Sequence, residues 1–274
     1  MTTKSRYYQE LKEAVRIIRE ELEIPDGKEI TTGIVLGTGW GDSLVTKAAK
    51  SVSLTRLKDG SDLETIEGHE RKIELGMIGG KEVLILRGRV HMNETTFNPD
   101  AVKFVRMQIE ILLRLGVKNL ILTCGAGGLR PDIAPGKVVF IDSFVSDNNE
   151  VMPLFPGEFV SPESILDEAW LENEWDRHPS TFKGAFVFFR GPHIEGLKHD
   201  KKNMYMRGGV AVGMSIKPEC TIAALHPGVR VLALAHIMNS STEVLDHVTH
   251  TTKAQKNSDR LGKLLTKIVQ KIPT

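Results

Sequence analysis

The chain has 274 residues and a mass of 30.4 kDa, and its 36 Lys and Arg against 35 Asp and Glu give a formal net charge of +1. With 41% hydrophobic and 26% charged residues it can bury a full core, which excludes a disordered chain. The balanced charge argues against a general nucleic-acid binder, because such a protein needs a basic face to displace phosphate counterions. A small local anion site is compatible with this composition.

The N-terminal residues 1–24 predict an amphipathic helix rather than a targeting segment, since they contain no apolar signal core. The apolar residues of one face follow at spacings of four, three and four: Leu11, Val15, Ile18 and Leu22. No apolar run in the chain approaches the ~20 residues that span a bilayer, so we expect a cytoplasmic protein without membrane contact. The two cysteines, Cys124 and Cys220, cannot make a disulfide framework and are predicted to be buried thiols.

Strands and helices mostly alternate along the rest of the chain. The predicted strands cover residues 32–36, 72–78, 82–86, 119–123, 138–141, 185–189, 210–213 and 230–237. The predicted helices cover a segment that Pro99 and Asp100 open and Gly116 closes, and then 162–175, 197–206, 218–225 and 252–272. Gly79 and Gly80 predict a hairpin between the second and third strands. The polar stretch 143–164 has no clear period and predicts a long loop.

This order of elements predicts the fold class. Continuous apolar strands followed by helices are typical of α/β proteins with a mixed, mostly parallel central sheet and helices on both faces. The chain shows no internal repeat and no break in composition. We therefore expect one α/β domain over residues 1–274.

Candidate binding residues follow several predicted strands, because ligands of open α/β sheets bind beyond the carboxyl ends of the strands. Arg89 offers a planar fork of donors for an oxyanion, and His91, which points the same way in an extended chain, adds another donor. Thr38 and Ser215 supply hydroxyl groups. Together these residues predict a site for phosphate or a carboxylate. The alternative interpretation is that Arg89 and His91 form a surface turn.

Two glycine-rich runs, 37–41 and 125–128, also follow strands and allow backbone N–H groups to approach an anion closely. Neither run matches the dinucleotide fingerprint or a Walker A loop, so a dinucleotide or nucleoside-triphosphate site is disfavoured. The structural alternative is that these glycines only make tight turns.

Two polar residues predict contacts to a heterocyclic base. The Glu195 carboxylate can accept hydrogen bonds from a purine or pyrimidine edge, and the Asn239 amide has both a donor and an acceptor for a ring nitrogen. Alternatively, Glu195 is a solvated turn residue and Asn239 caps its strand. His69 and His250 are isolated histidines for which structural roles are the default. No histidines show metal-ligand spacing and no G-x-S-x-G elbow is present, so we predict no metal and no acyl-transfer chemistry.

Several segments recur together in one order along nearly the whole chain: GIVLGTGWG (33–41), EGHERK (67–72), GRVHMNE (88–94), LGVKNLILTCGAGGLRPDIAPGKVVFI (115–141), RGPHIEG (190–196), AVGMSIKPE (211–219) and IMN (237–239). Through this ordered set the sequence resembles the trimeric-type purine nucleoside phosphorylases, a family that also contains methylthioadenosine phosphorylase. The resemblance implies the single-domain nucleoside phosphorylase/hydrolase-like fold and a homotrimer.

The resemblance also implies an activity and its site. Members of the family are pentosyltransferases that cleave a purine (deoxy)ribonucleoside with orthophosphate to free base and (deoxy)ribose 1-phosphate, without a further cofactor. The implied phosphate ligands are Thr38, His69, Arg89, His91 and Ser215, with the backbone at Gly125 and Ala126. The implied nucleoside contacts are Asn93, Ile194, Glu195, Gly213, Met214, Asn239 and His250. The implied catalytic residues are His91, Glu195 and Asn239, with Asn239 stabilising the departing purine at N7.

Four positions and one segment depart from the family pattern. Asn93 stands where a Tyr lies near the ribose, and Ile194 stands where a Phe packs on the base. Thr38 for Ser and Gly125 for Ala are mild changes. The segment after Ser143 lacks the stretch that in trimers lends an aromatic residue to the next subunit's site. Phe155 and Phe159 are the candidates to replace that aromatic residue.

Three functional hypotheses follow. The first is phosphorolysis of inosine or guanosine, which Asn239 supports because the methylthioadenosine branch tends to carry Asp there. The second is a relative with an altered substrate, such as 5′-methylthioadenosine or a modified nucleoside, which Asn93 and Ile194 motivate. The third is a non-catalytic protein that binds a nucleoside or phosphate on the same fold.

Overall fold

The structure, a computed structural model, describes residues 2–44, 50–57, 70–96, 98, 101–146, 152–189, 191, 194–243 and 257–273. Within these ranges the strands are β1 Thr32–Leu36, β2 Lys50–Ser53, β3 Lys72–Ile78, β4 Lys81–Arg87, β5 Asn119–Gly128, β6 Val138–Val145, β7 Phe182–Phe188, β8 Gly209–Gly213 and β9 Arg230–Asn239. The helices are α1 Thr3–Glu21, α2 Ala101–Arg114, α3 Glu168–Arg177, α4 Asp200–Met206, α5 Lys217–Ala223 and α6 Ser258–Lys271.

The strands form one mixed sheet in which β5 is the central element. The first half has the order β2-β3-β4-β1-β5. Beyond it, β5 pairs with both β8 and β9, and the circuit β8-β7-β6-β9 closes back on β5. Among the described residues, five strand pairings are parallel and four are antiparallel. The predicted α/β class with a mixed, mostly parallel sheet is confirmed.

Helices cover the sheet on two sides because the central strands are apolar on both faces. All five residues of β1 are buried, as expected for a strand with packed layers above and below it. One core cluster joins the sheet to α1, α2 and α5, and a second joins it to α3 and α6. Three members of the predicted α1 stripe, Leu11, Ile18 and Leu22, are at most 2% exposed. Each such side chain contributes roughly 1.5–3 kcal/mol through its burial.

The predicted hairpin is confirmed, and its turn shows why two glycines are needed. Gly79 and Gly80 both have positive φ, +58° and +86°, between antiparallel β3 and β4. That combination is a type I′ turn, whose twist matches the flanking strands. Gly116, with φ +111°, follows the end of α2 as predicted. The opening of that helix at Pro99 and Asp100 lies outside the described residues.

Several predicted boundaries are wrong. Helix α3 begins at Glu168 rather than near 162, because the Asp167 side chain accepts a hydrogen bond from the Trp170 backbone N–H and caps it there. Helix α4 begins at Asp200 rather than 197, and β2 was not predicted. The predicted loop 143–164 loses its first three residues to β6, which continues to Val145.

The glycine run 125–128, predicted as a loop after the strand, is the second half of β5. It stays in the sheet because β9 pairs with it on one side and β8 on the other. Cys124 and Cys220 are buried free thiols, as predicted. No helix within the described residues is both long and apolar enough to cross a membrane.

Candidate active site

The candidate residues meet along the second half of β5. A Cβ atom at Gly37, just after β1, would lie 2.6 Å from the Thr123 carbonyl oxygen and 2.9 Å from Arg89 Nη2. A Cβ atom at Gly125 would lie 3.1 Å from the Thr38 carbonyl oxygen. The chain that follows β1 therefore lies against β5 at a distance that only small residues permit.

Arg89 is completely buried and contacts both α5 and β5. Its Nη1 forms an ion pair with Glu219 of α5, and its Nη2 donates to the Thr123 carbonyl oxygen. The surface-turn alternative is therefore wrong for this residue. The second Glu219 carboxylate oxygen is buried and has no hydrogen-bond partner within the described residues. The predicted contact between Arg89 and phosphate stays a prediction.

His91 belongs to a different charge network from Arg89. Both lie just beyond the end of β4 at Arg87 and follow Gly88, whose φ is +67°. Glu94 accepts a hydrogen bond of 2.7 Å from the His91 backbone N–H, and one of its oxygens lies 3.4 Å from His91 Nδ1. Burial alone would raise the pKa of Glu94, but the bonds from His91 and the charge of Arg71 bring it below its usual value.

Arg71, the residue before β3, forms an ion pair with Glu94 and so joins the network of His91 and Glu94. Its side chain is 1% exposed and its Nη2 donates to Glu94 Oε2 at 2.6 Å. Its φ of +49° is a costly backbone conformation for a residue with a side chain. A fixed carboxylate at His91 Nδ1 favours the proton on that nitrogen.

The loop after β8 brings three further predicted residues to the same region. A Cβ atom at Gly213 would lie 3.4 Å from the Gly125 carbonyl oxygen. The Met214 sulfur lies 3.8 Å from Asn93 Nδ2, so these two predicted sugar contacts are neighbours. Ser215 is 7% exposed and precedes Ile216, a buried β-branched residue with φ +73°. This strained turn sets the position of Ser215 at the entrance of α5.

The two predicted base contacts converge on Gly127. A Cβ atom there would lie 2.6 Å from Glu195 Oε1 and 3.2 Å from Asn239 Oδ1. Asn239 is fully buried at the end of β9, and Asn239 Nδ2 donates to the Glu243 carbonyl oxygen at 2.8 Å. Its Oδ1 has no partner within the described residues. Glu195 is 7% exposed, and this burial raises the pKa of its carboxyl group.

The candidate residues form two groups along β5, one at Gly125 and the other at Gly127. Gly125 lies beside Thr38, and Gly127 lies beside Glu195 and Asn239. Two residues of strand advance by about 6.6 Å. This spacing is about the width of a pentose ring.

Other predicted residues are less informative. His69 and His250 lie outside the described residues, and Ile194 and Ala126 are half-buried and buried, respectively. Phe155 packs on Tyr7 at a ring distance of 5.3 Å, whereas Phe159 is 90% exposed. Within the described residues, no three His, Cys, Asp or Glu side chains are grouped to hold a metal ion. The absence of a metal stays a prediction.

Sequence reasoning missed the charged partners Arg71, Glu94 and Glu219. Each lies inside a segment that carries the resemblance, namely EGHERK, GRVHMNE and AVGMSIKPE. Charged residues within otherwise apolar or glycine-rich motifs were the available signal. Arg71 and Glu94 are 23 residues apart in the sequence, and Arg89 and Glu219 are 130 residues apart. Sequence spacing therefore could not predict which charges pair.

The chain is similar in sequence to known phosphorylases. The phosphorylase superfamily model matches residues 31–270. The purine nucleoside phosphorylase of Mycobacterium tuberculosis is 27% identical over 246 residues, covering 88% of this chain and 89% of that protein. Purine nucleoside phosphorylase 1 of Bacillus subtilis is 27% identical over 274 residues, covering 96% and 97%.

A solved structure shares the fold. The purine nucleoside phosphorylase of Schistosoma mansoni in complex with inosine has a TM-score of 0.78 at 21% identity and covers 97% of both chains. The resemblance inferred from the motifs is confirmed. On the match to residues 31–270, the chain belongs to the phosphorylase superfamily.

Proposed function

We propose that this protein is a purine nucleoside phosphorylase that cleaves inosine or guanosine with orthophosphate. One observation carries the proposal: Glu195 and Asn239 converge on Gly127, two residues along β5 from the Gly125 that lies against Thr38. This spacing supports a base-binding end and an anion-binding end that are separated as in a nucleoside. The names of its relatives, which are purine nucleoside phosphorylases, support the same activity.

At the base end, the Glu195 carboxylate accepts the N1–H of a 6-oxopurine. The Asn239 amide nitrogen uses one hydrogen for the Glu243 carbonyl oxygen, and its second hydrogen is available for N7. As the glycosidic bond breaks, its electron pair moves into the purine. A donor at N7 therefore binds the departing base more strongly than the intact nucleoside, which lowers the barrier.

At the anion end, a phosphate oxygen forms the new bond to the anomeric carbon while the bond from that carbon to the purine nitrogen breaks. Thr38, His91 and Ser215 supply donors, with His91 oriented by Glu94 at 3.4 Å. The phosphate dianion stabilises the positive charge that develops on the sugar. Orthophosphate is thus the second substrate, and we propose no further cofactor.

The test is release of hypoxanthine from inosine, and of guanine from guanosine, with and without orthophosphate. We expect phosphate-dependent release, about 100-fold slower in Asn239→Ala. Asn173→Ala is the matched control, because Asn173 is exposed on α3 and donates to the carbonyl oxygen of Ala169 in its own helix.

Each of the other outcomes of this assay indicates a different function for the protein. Release without phosphate indicates a hydrolase. Release only from 5′-substituted or modified nucleosides indicates the altered-substrate hypothesis, and binding without release indicates a non-catalytic relative. A homotrimer and a cytoplasmic location stay predictions, tested by light scattering and by cell fractionation.

A further inference from the structure

Lys201 is a buried cation behind the base end of the site. Its side chain, on the first turn of α4, is 2% exposed. Its Nζ donates to the Ser240 carbonyl oxygen at 2.8 Å and to the Glu243 carbonyl oxygen at 2.9 Å. The same nitrogen lies 3.8 Å from Glu195 Oε1.

A buried lysine ammonium group lowers the stability of the fold unless an opposite charge or hydrogen-bond acceptors compensate it. Burial strongly disfavours an ammonium group, and two carbonyl oxygens compensate only part of its lost hydration. The Glu195 carboxylate, itself buried, supplies a side-chain anion beside this ammonium group. The pair thus places a fixed positive charge next to the carboxylate that faces Gly127 and the proposed purine.

The charges around this pair act in opposite directions. Burial raises the pKa of Glu195 and the Asp200 carboxylate raises it further, whereas the charge of Lys201 lowers it. Burial lowers the pKa of Lys201, and the carboxylates of Glu195 and Glu243 raise it. One oxygen of the Asp200 carboxylate, Oδ2, already accepts a hydrogen bond of 2.8 Å from the Gly196 backbone N–H. Lys201 is therefore the cation that opposes the protonation of Glu195.

We propose that Lys201 is a specificity-determining residue, whose ammonium group keeps Glu195 ionised and so selects 6-oxopurines over 6-aminopurines. This inference rests on the proposed function. An ionised carboxylate only accepts hydrogen bonds, and the N1 of a 6-oxopurine carries a hydrogen to donate. The N1 of a 6-aminopurine carries a lone pair and needs a donor, which only a protonated Glu195 supplies. The charge at residue 201 therefore sets which purine edge fits.

The test compares Lys201→Gln and Lys201→Arg in the full-length protein. The glutamine amide can still donate to a carbonyl oxygen but has no charge, and arginine keeps the charge. Lys202→Gln is the matched control, because Lys202 is the exposed next residue of α4. The readouts are kcat/KM for inosine and adenosine between pH 5 and 9, and calorimetric binding of hypoxanthine and adenine.

We expect Lys201→Gln to lower the inosine-to-adenosine preference at pH 7 at least tenfold and to move the acidic limb of the inosine profile to higher pH. Lys201→Arg and Lys202→Gln should keep the wild-type preference. The inference is overturned if Lys201→Gln slows both nucleosides equally, since that is the effect of merely loosening the turn at Ser240 and Glu243. It is also overturned if Lys201→Arg behaves like Lys201→Gln.

The two proposals fail in different ways. If the wild-type protein releases no base from any nucleoside, the proposed function fails, and the hypoxanthine-to-adenine binding ratio still reports on Lys201. If the wild-type protein is a phosphorylase and the ratio is unchanged in Lys201→Gln, only the role of Lys201 fails. Wild-type protein that binds neither base overturns both.

Discussion

Gly127 is the position where a single added methyl group tests the geometry of the base end. In Gly127→Ala, the new Cβ atom would lie 2.6 Å from Glu195 Oε1 and 3.2 Å from Asn239 Oδ1, against 3.4 Å for an ordinary contact. The Glu195 carboxylate must therefore move by about 0.8 Å, whereas Asn239 moves by about 0.2 Å. Glu195 yields first because its carboxylate is the far end of a flexible side chain.

The size of the effect follows from that displacement. A misplacement of about 1 Å at a reacting or binding group costs on the order of 100-fold in rate. For about 0.8 Å we expect kcat/KM for the nucleoside to fall roughly 50-fold, which corresponds to about 2 kcal/mol of transition-state stabilisation. Stability should change little, because Gly127 has no positive φ, the Glu195 carboxylate can swing away, and Val212 Cγ1, at 3.1 Å from the new Cβ atom, needs to shift by only about 0.3 Å.

Steady-state kinetics with varied nucleoside and varied phosphate, together with thermal unfolding, measure both parts. Gly125→Ala is the graded comparison, since its Cβ atom would lie 3.1 Å from the Thr38 carbonyl oxygen and requires a shift of only about 0.3 Å. We expect a smaller loss there, expressed in the phosphate KM rather than the nucleoside KM. A Gly127→Ala enzyme with wild-type nucleoside kinetics, or one that loses phosphate binding instead, would refute this assignment of the two ends.

Two further predictions concern buried charge. Glu219→Gln removes the buried carboxylate that forms an ion pair with Arg89 and should lower the free energy of unfolding by roughly 3–5 kcal/mol. A loss below about 1 kcal/mol in urea unfolding would contradict this. Burial lowers the pKa of His236 from 6.5 to about 4, so the unfolded chain binds a proton that the folded chain lacks, and stability falls as pH drops from 6.5 toward 4. His236→Leu should remove about 1 kcal/mol of that loss per pH unit, and unchanged slopes of stability against pH would exclude the role of this imidazole.

Much of the architecture was predictable because it depends on local patterns. The apolar runs of β1 and β9, the stripe of α1 and the glycine pair at 79–80 each carry their own physical cause within a few residues. Boundaries failed where a distant strand or a single cap decided them. β5 continues through its glycines because β8 and β9 pair with it. Helix α3 begins only at Glu168 because Asp167 caps it there.

For the site, the sequence by itself determined which residue types follow which strands, and the ordered motifs identified the family. It did not determine how those residues are paired. The tertiary structure alone joined Arg89 to Glu219, Arg71 to Glu94, and Lys201 to Glu195. Such contacts arise where strand ends from different parts of the sheet converge. Burial makes an unpaired charge strongly destabilising there, so opposite charges are paired. No periodicity along the chain encodes that convergence, so it becomes visible only once β5 is closed between β8 and β9.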